Sequence, residues 1–196
     1  MSIGDCFLER VPSIEFLGTV LSQDISDITL DVDRVMKSFL GQFNGLYHRF
    51  NFLDLTILVF LFQSYCMSFY GVEMWYDKVC SSSSYNRAAV TYHKAIKKIC
   101  KMNNWESNHD ACERSGKPIF RHLLAKRVYS FYKRLVSSSE VQLQYYFFTS
   151  YFARNVRNLF RNFYEINIDS YDFKAVFACI EYVQRNEERS HHVYVP

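Results

Sequence analysis

Residues Val59–Trp75, VFLFQSYCMSFYGVEMW, decide how the fold of this 196-residue chain is interpreted. Together with the preceding FLDLTIL they form a long apolar run, and residues 56–72 carry no charged side chain. A helix that is apolar on nearly all its sides is typical of the centre of a soluble domain. We therefore predict one long core helix from Leu55 to about Tyr76.

The same run meets the requirements of a membrane span poorly. Such a span needs about 20 predominantly apolar residues and is usually flanked by Lys or Arg on one side. Here Gln63, Ser64, Ser68 and Glu73 interrupt the run, and no basic cluster marks either end. A small membrane protein spanning residues 56–75 is therefore the weaker alternative, and we expect no membrane partner.

The rest of the sequence predicts a mainly α fold. Gly (6) and Pro (3) are scarce, which disfavours many short strands and turns. Two β-leaning runs, Phe7–Val11 and Ile14–Leu21, predict a short N-terminal hairpin. Apolar residues at helical spacing then predict about six helices in a bundle-like domain. Besides the core helix, these cover Val32–Tyr47, Arg87–Met102, the segment between Ser107 and Gly116, Phe120–Val136, Val141–Tyr164 and Tyr171–Asn186, and a frayed tail begins at Arg189.

Charge is unevenly distributed along the chain. Residues 86–134 contain twelve basic and three acidic residues, a net +9, whereas the remaining sequence has a net charge of −6. Such a basic segment is typical of a surface that binds nucleic acid or another acidic partner.

Three groups of basic residues are candidates for contact with a phosphate backbone. The first is a lysine stripe at helical spacing, the second follows aromatic residues in the next helix, and the third is an arginine series. They are Lys94, Lys97, Lys98 and Lys101; Arg121, Lys126, Arg127, Lys133 and Arg134; and Arg154, Arg157 and Arg161. The alternative is a solvated basic face, and aromatics at this spacing are more often core residues than stacking platforms.

No motif for catalysis or cofactor binding is present. The sequence has no glycine-rich phosphate loop, no GxSxG and no HExxH. Zinc sites usually draw their ligands from two tight pairs, and only His109 and Cys112 form one here. We therefore expect no catalytic residue, no metal and no cofactor. The first residues, MSIGDCFLERVPSIEF, include acidic side chains and no apolar run, so they do not resemble a signal peptide. This favours an intracellular protein.

Several short motifs occur in a familiar order. FLG at Phe16–Gly18 precedes DVDRVMKSFLGQFNGLYHRF, and the apolar run ends with Tyr65, Cys66, Ser68, Tyr70, Gly71 and Trp75. Downstream follow YHKAIKK and SNHDACERSGKPIFRHLL. From Cys6 to Leu135 the chain resembles the thumb and connection region of non-LTR (LINE-type, jockey-like) retrotransposon reverse transcriptases.

The resemblance implies three regions: residues 1–28 as the hairpin at the end of a palm, 29–136 as the helical thumb and connection, and 137–196 as further C-terminal helices. Palm and fingers, with their metal-binding aspartates, have no counterpart in the sequence, so no catalysis of its own is implied. The implied partners are an RNA/DNA or DNA duplex, and a palm domain or another protein on exposed apolar surface. The implied location is nuclear or cytoplasmic. An unrelated helical protein-interaction module is the alternative.

Overall fold

The computed structural model describes residues 2–3, 6–7, 11–16, 19–22, 29–69, 71–74, 83–137, 151–169 and 172–192. Most of these residues are helical, which confirms the predicted mainly α fold class. The helices are α1 (Thr29–Phe50), α2 (Leu55–Tyr65), α3 (Ser83–Ile99), α4 (Asn108–Ser115), α5 (Phe120–Val136), α6 (Tyr151–Tyr164) and α7 (Phe173–His192), with a 3-10 turn at Val72–Met74.

Short antiparallel hairpins precede α1. They are β1 (Ser2–Ile3) with β2 (Cys6–Phe7), and β3 (Ser13–Phe16) with β4 (Thr19–Ser22). The predicted N-terminal hairpin is confirmed, but its pairing was wrong. Both β3 and β4 come from the run that we assigned to a single strand. Phe16 of β3 pairs with Thr19 of β4, and Leu17 and Gly18 lie outside the described residues.

Helix α1 connects the second hairpin to the core. Its buried apolar residues recur at three- and four-residue intervals, as predicted. Asp31 in its first turn is buried, accepts a hydrogen bond from Val20 N of β4 at 3.0 Å and forms an ion pair with Arg34 at 2.8 Å. The carboxylate therefore joins the start of α1 to β4.

Helix α2 is shorter than predicted, because it ends at Tyr65 rather than near Tyr76. The next residues leave the helical path, and Phe69 has a positive φ of 37°. Arg127 of α5 donates to Ser68 O at 2.7 Å and also to Met67 O, so these carbonyls are satisfied outside a helix. Tyr70 and Trp75, which belong to the predicted helix, lie outside the described residues.

Gly71 allows this loop to pass close to the hairpin. It has a φ of +84°, and a Cβ at this position would lie 3.1 Å from Thr19 Oγ1. A larger side chain would have to adopt a left-handed conformation and also displace Thr19. The glycine in the motif therefore has a packing role here, next to β4.

The prediction that α2 is the central core helix was also wrong. Only Leu58 and Phe62 of α2 are buried, whereas Phe60 is 67% and Tyr65 is 65% exposed. Because the helix is apolar on more sides than the core covers, one apolar face remains at the surface. None of the helices in the described part of the chain is long and apolar enough to cross a membrane.

The centre of the core is aromatic and lies where α1, α3 and α5 meet. Phe39 of α1 lies 5.3 Å from Phe69 and 5.9 Å from Phe62 between ring centroids. Tyr92 of α3 and Phe120 of α5 approach within 5.4 Å and are almost fully buried. These stacked, edge-on and tilted ring contacts add to the stabilisation from burial.

Helix α3 begins earlier and ends earlier than predicted. It starts at Ser83, inside the serine run that precedes the predicted start at Arg87, and the buried Ser84 Oγ donates to Thr29 Oγ1 at 3.4 Å. At its end Lys101 has a φ of 55°, and Met102 N donates to Lys97 O at 2.9 Å. This backbone pattern terminates a helix, although glycine is its usual residue.

Helix α4 occupies the predicted segment between Ser107 and Gly116, and these two residues cap it. Ser107 Oγ accepts from His109 N and Asp110 N, and Gly116 ends the helix with a φ of 62°. Helix α5 has the predicted bounds, Phe120–Val136. Asp54 is at the N-cap of α2, but its side chain makes no capping hydrogen bond.

The C-terminal helices pack on α5. Helix α6 is described from Tyr151, and the predicted helical segment 141–150 lies outside the described residues. Helix α7 extends to His192 rather than ending at Asn186, so the start of the predicted frayed tail is helical. Tyr132 Oη of α5 donates to Asp169, which also pairs with Arg157 at 2.8 Å.

Candidate nucleic-acid interface

The four lysines of the predicted stripe do not share one exposed face. Lys94 and Lys98 are exposed on α3, and Lys101 is exposed just beyond its end. Lys97 is only 6% exposed, and its Nζ donates to Asn104 O at 2.9 Å. The stripe therefore divides into three solvent-facing lysines and one that binds the protein's own backbone.

Lys94 and Lys98 line an open groove between α1 and α3, which we call the lysine groove. Its volume is about 590 Å³. Its walls combine lysine, amide and apolar side chains: Leu40, Phe43, Asn44, Thr91, Lys94, Ala95, Lys98, Met102, Asn103 and Asn104. Among these described lining residues there is no carboxylate, so the positive charge of the groove is not neutralised within its own walls.

Lys98 is held in a defined position across the groove. Its Nζ lies 4.6 Å from the centroid of the Tyr47 ring and 5.8 Å from that of Phe43. A cation above an aromatic face is stabilised by the ring quadrupole. The charge is therefore placed against α1 while the side chain stays accessible to solvent.

The basic residues of α5 mainly contact other parts of the protein. Lys126 pairs with Glu181 of α7 at 2.9 Å, and Arg127 donates to the carbonyls that follow α2. Three further side chains place their charged group 5.5–5.9 Å from the centroid of an aromatic ring: Arg121 over Phe163, Lys133 over Tyr129 and Arg134 over Phe131. Of these five, Arg134 is the exposed one.

The guanidinium of Arg127 is partly buried against the loop that follows α2. Desolvation lowers the pKa of its guanidinium from the usual value, and the charge of Glu73 opposes this effect. The guanidinium plane lies 5.9 Å from the Phe69 ring. Arg127 therefore fixes the loop after α2, and it is not among the residues that line the lysine groove.

The arginine series of α6 is divided in the same way. Arg157 pairs with Asp169 at 2.8 Å and lies over the Tyr132 ring at 5.9 Å. Arg154 and Arg161 are exposed. Two of the three predicted arginines are thus available at the surface. The aromatic residues Tyr129 and Tyr132 of α5 are buried, as the core interpretation predicted.

Cys100, which follows α3, and His122 of α5 make internal contacts. Cys100 Sγ donates to Ala111 O at 3.6 Å, and the buried His122 Nδ1 lies 2.9 Å from Tyr164 Oη. Burial raises the pKa of the Cys100 thiol. In the part of the chain that the structure describes, no three His, Cys, Asp or Glu residues are placed to hold a metal ion.

Sequence reasoning missed Trp105, which is 83% exposed in the connection between α3 and α4. It follows directly on Asn103 and Asn104, which line the lysine groove. The available signal was the sequence KMNNWES, in which a single tryptophan occurs in an otherwise polar connection within the basic segment.

A second surface is apolar and lies on α1 and α2. It includes a depression of about 570 Å³ lined by Gly41, Gln42, Gly45, Leu46, Arg49, Phe50, Leu61 and Tyr65. Ile57 and Phe60 of α2 and Phe52 of the preceding turn are also exposed. We call this surface the apolar face.

Comparisons with known proteins add no relative. No protein-family model matches the chain, and neither the curated proteins nor the solved structures contain a significant match. The resemblance to retrotransposon reverse transcriptases therefore depends on the motifs alone.

Proposed function

We propose that this protein binds the phosphate backbone of a nucleic-acid duplex, RNA/DNA or DNA, through the lysine groove. The observation that carries the proposal is the placement of Lys94 and Lys98 in one open groove without a lining carboxylate among the described residues. The proposal agrees with the resemblance to a thumb and connection region, and it includes no catalytic step of its own. A nuclear or cytoplasmic location suits such a ligand.

The chemistry of the groove suits phosphate. A lysine ammonium is a compact charge with three donors, and most contacts of proteins to duplex DNA go to phosphate and sugar oxygens. Asn44, Asn103 and Asn104 add amide groups that can donate to the same oxygens. Contacts of these groups to phosphate oxygens do not read the base edges, so we expect binding with little dependence on sequence.

Further exposed cations lie outside the lining of the lysine groove. Lys101 is exposed two residues beyond the end of α3, and Arg134, Arg154 and Arg161 are exposed on α5 and α6. We assign the three arginines a secondary contribution. Lys101 directly precedes the groove residues Met102 and Asn103 in the chain, and we therefore group it with Lys94 and Lys98. Lys97, Lys126, Arg127 and Arg157 act in the proposal as structural residues.

Two variants with equal charge change test the proposal. The groove variant replaces Lys94, Lys98 and Lys101 with Gln, and the control variant replaces the exposed Arg49, Lys174 and Arg185 with Gln. Fluorescence anisotropy with a labelled duplex at low salt should show roughly tenfold or greater loss of affinity for the groove variant and a much smaller loss for the control. Equal losses would reduce the interaction to net charge alone, and the absence of wild-type binding would refute the proposal.

The apolar face supports a second candidate function, a helical protein-interaction module. Its large exposed side chains include Phe60 at 67% and Phe52 at 75%, and contiguous apolar surface often marks a protein contact. A palm domain is the partner that the resemblance suggests. Replacing Phe60 with Ser should weaken such a complex in a binding assay and leave duplex affinity unchanged, whereas the groove variant should do the opposite.

A further inference from the structure

The connection between α3 and α4 holds Trp105 at the corner of a closed turn. Glu106 N donates to Asn103 O at 3.2 Å, and Asn103 N donates back to the Glu106 carboxylate. Asn104 and Trp105 are the two central residues of this turn. The turn therefore keeps its shape through its own hydrogen bonds, while the indole is left in solvent.

A buried lysine attaches the same turn to α3. Lys97 is 6% exposed, and its Nζ donates to Asn104 O, the carbonyl that precedes Trp105. The first contacts after α3 add to this attachment, because Met102 N donates to Lys97 O at 2.9 Å. The backbone that carries the indole is consequently fixed relative to α3 and its exposed lysines.

Trp105 is next to the cationic site in the chain and in the fold. Asn103 and Asn104 of the turn line the lysine groove together with Lys94 and Lys98. Proteins that bind unpaired strands combine a positive groove for the backbone with exposed aromatic rings on which bases stack. Every base has a π-face, so this combination does not require a particular sequence.

We propose that Trp105 is a stacking platform for an unpaired nucleobase at one end of the lysine groove. This inference rests on the proposed function, since the lysines must first hold the backbone. It adds that the preferred ligand is a duplex continued by a single-stranded overhang. The overhang base stacks on the indole while Lys94 and Lys98 contact phosphates.

The test compares a blunt duplex with the same duplex carrying a short single-stranded overhang, by fluorescence anisotropy. A stacked base contributes roughly 5- to 150-fold in affinity by the usual effect of aromatic truncation. The wild type should prefer the overhang by a factor in this range. Trp105→Leu should remove the preference and keep blunt-duplex affinity, whereas Trp105→Phe should retain most of it.

Two controls complete the design. Tyr182→Leu removes another aromatic side chain, 67% exposed on α7, and should leave the preference intact. Quenching of tryptophan emission on overhang binding should be strong in the wild type and weak in Trp105→Phe. Equal affinity for both ligands, or a preference that persists in Trp105→Leu, would overturn the stacking inference and leave duplex binding standing. Failure of both ligands to bind at low salt would refute the proposed function and the inference with it.

Discussion

The imidazole of His93 makes the stability of the fold depend on pH. His93 lies on α3 against the start of α5, where Phe120 N donates to His93 Nε2 over 3.4 Å. Burial first, and then the charges of Lys97 and His109, lower the pKa of His93 from 6.5 to about 4. The ring is therefore neutral in the folded protein over most of the acidic range, with Nε2 as an acceptor.

The direction of the effect follows from the two protonation states. The unfolded chain takes up a proton at His93 near pH 6.5, whereas the folded chain does so only near pH 4. Stability linked to this group is thus fully present above the unfolded pKa and is lost as pH falls through the window between the two values. Between about pH 7 and pH 4.5, the free energy of unfolding should decrease by roughly 2–3 kcal/mol through His93.

Urea unfolding followed by circular dichroism, at about pH 7 and pH 4.5, measures this difference. His93→Gln is the matched variant, because its amide oxygen can still accept from Phe120 N but does not titrate. Between these two pH values, the free energy of unfolding should fall by roughly 2–3 kcal/mol more in the wild type than in the variant. Equal losses in both proteins would mean that burial does not shift this imidazole, and the reasoning would be refuted.

Three further substitutions test the packing. Phe39→Ala removes a 2% exposed ring from the centre of the aromatic core and should cost about 3–5 kcal/mol in urea unfolding; a cost below about 1 kcal/mol would contradict its central position. Ser107→Ala removes the cap of α4 and should cost about 1 kcal/mol, whereas Asp54→Ala at the N-cap of α2 should cost only a few tenths; equal costs would argue against the capping geometry. Arg127→Lys cannot reach two carbonyls in the same way and should cost about 1–2 kcal/mol with duplex affinity unchanged; a loss of affinity in the folded variant would place Arg127 in the interface.

Local signals in the sequence predicted the elements that local physics determines. Ser107 and Gly116 delimit α4, because a serine side chain caps the first amides and glycine adopts the left-handed conformation at the end. The apolar spacing of Phe120–Val136 likewise specified α5 correctly. These features depend on residues within one or two turns of each other, which is the range that a sequence pattern covers.

The predictions that were wrong concern features that depend on contacts between residues far apart in the sequence. Helix α2 ends early because Arg127, some sixty positions away, satisfies the carbonyls of Met67 and Ser68. Helical spacing places Lys97 with the other lysines of α3, but its burial depends on the turn that offers Asn104 O. The exposure of Trp105 also depends on how that turn folds, so its role could not be derived from the spacing of basic residues.

The salt dependence of duplex affinity tests the lysine groove most directly. On a B-form DNA duplex, each phosphate contact contributes about −0.9 to the slope of log affinity against log salt concentration. If Lys94, Lys98 and Lys101 each contact a phosphate, the groove variant should have a slope shallower than that of the wild type by about 2.7. The control variant should retain nearly the wild-type slope. Identical slopes for the groove variant and the wild type would contradict phosphate binding in this groove.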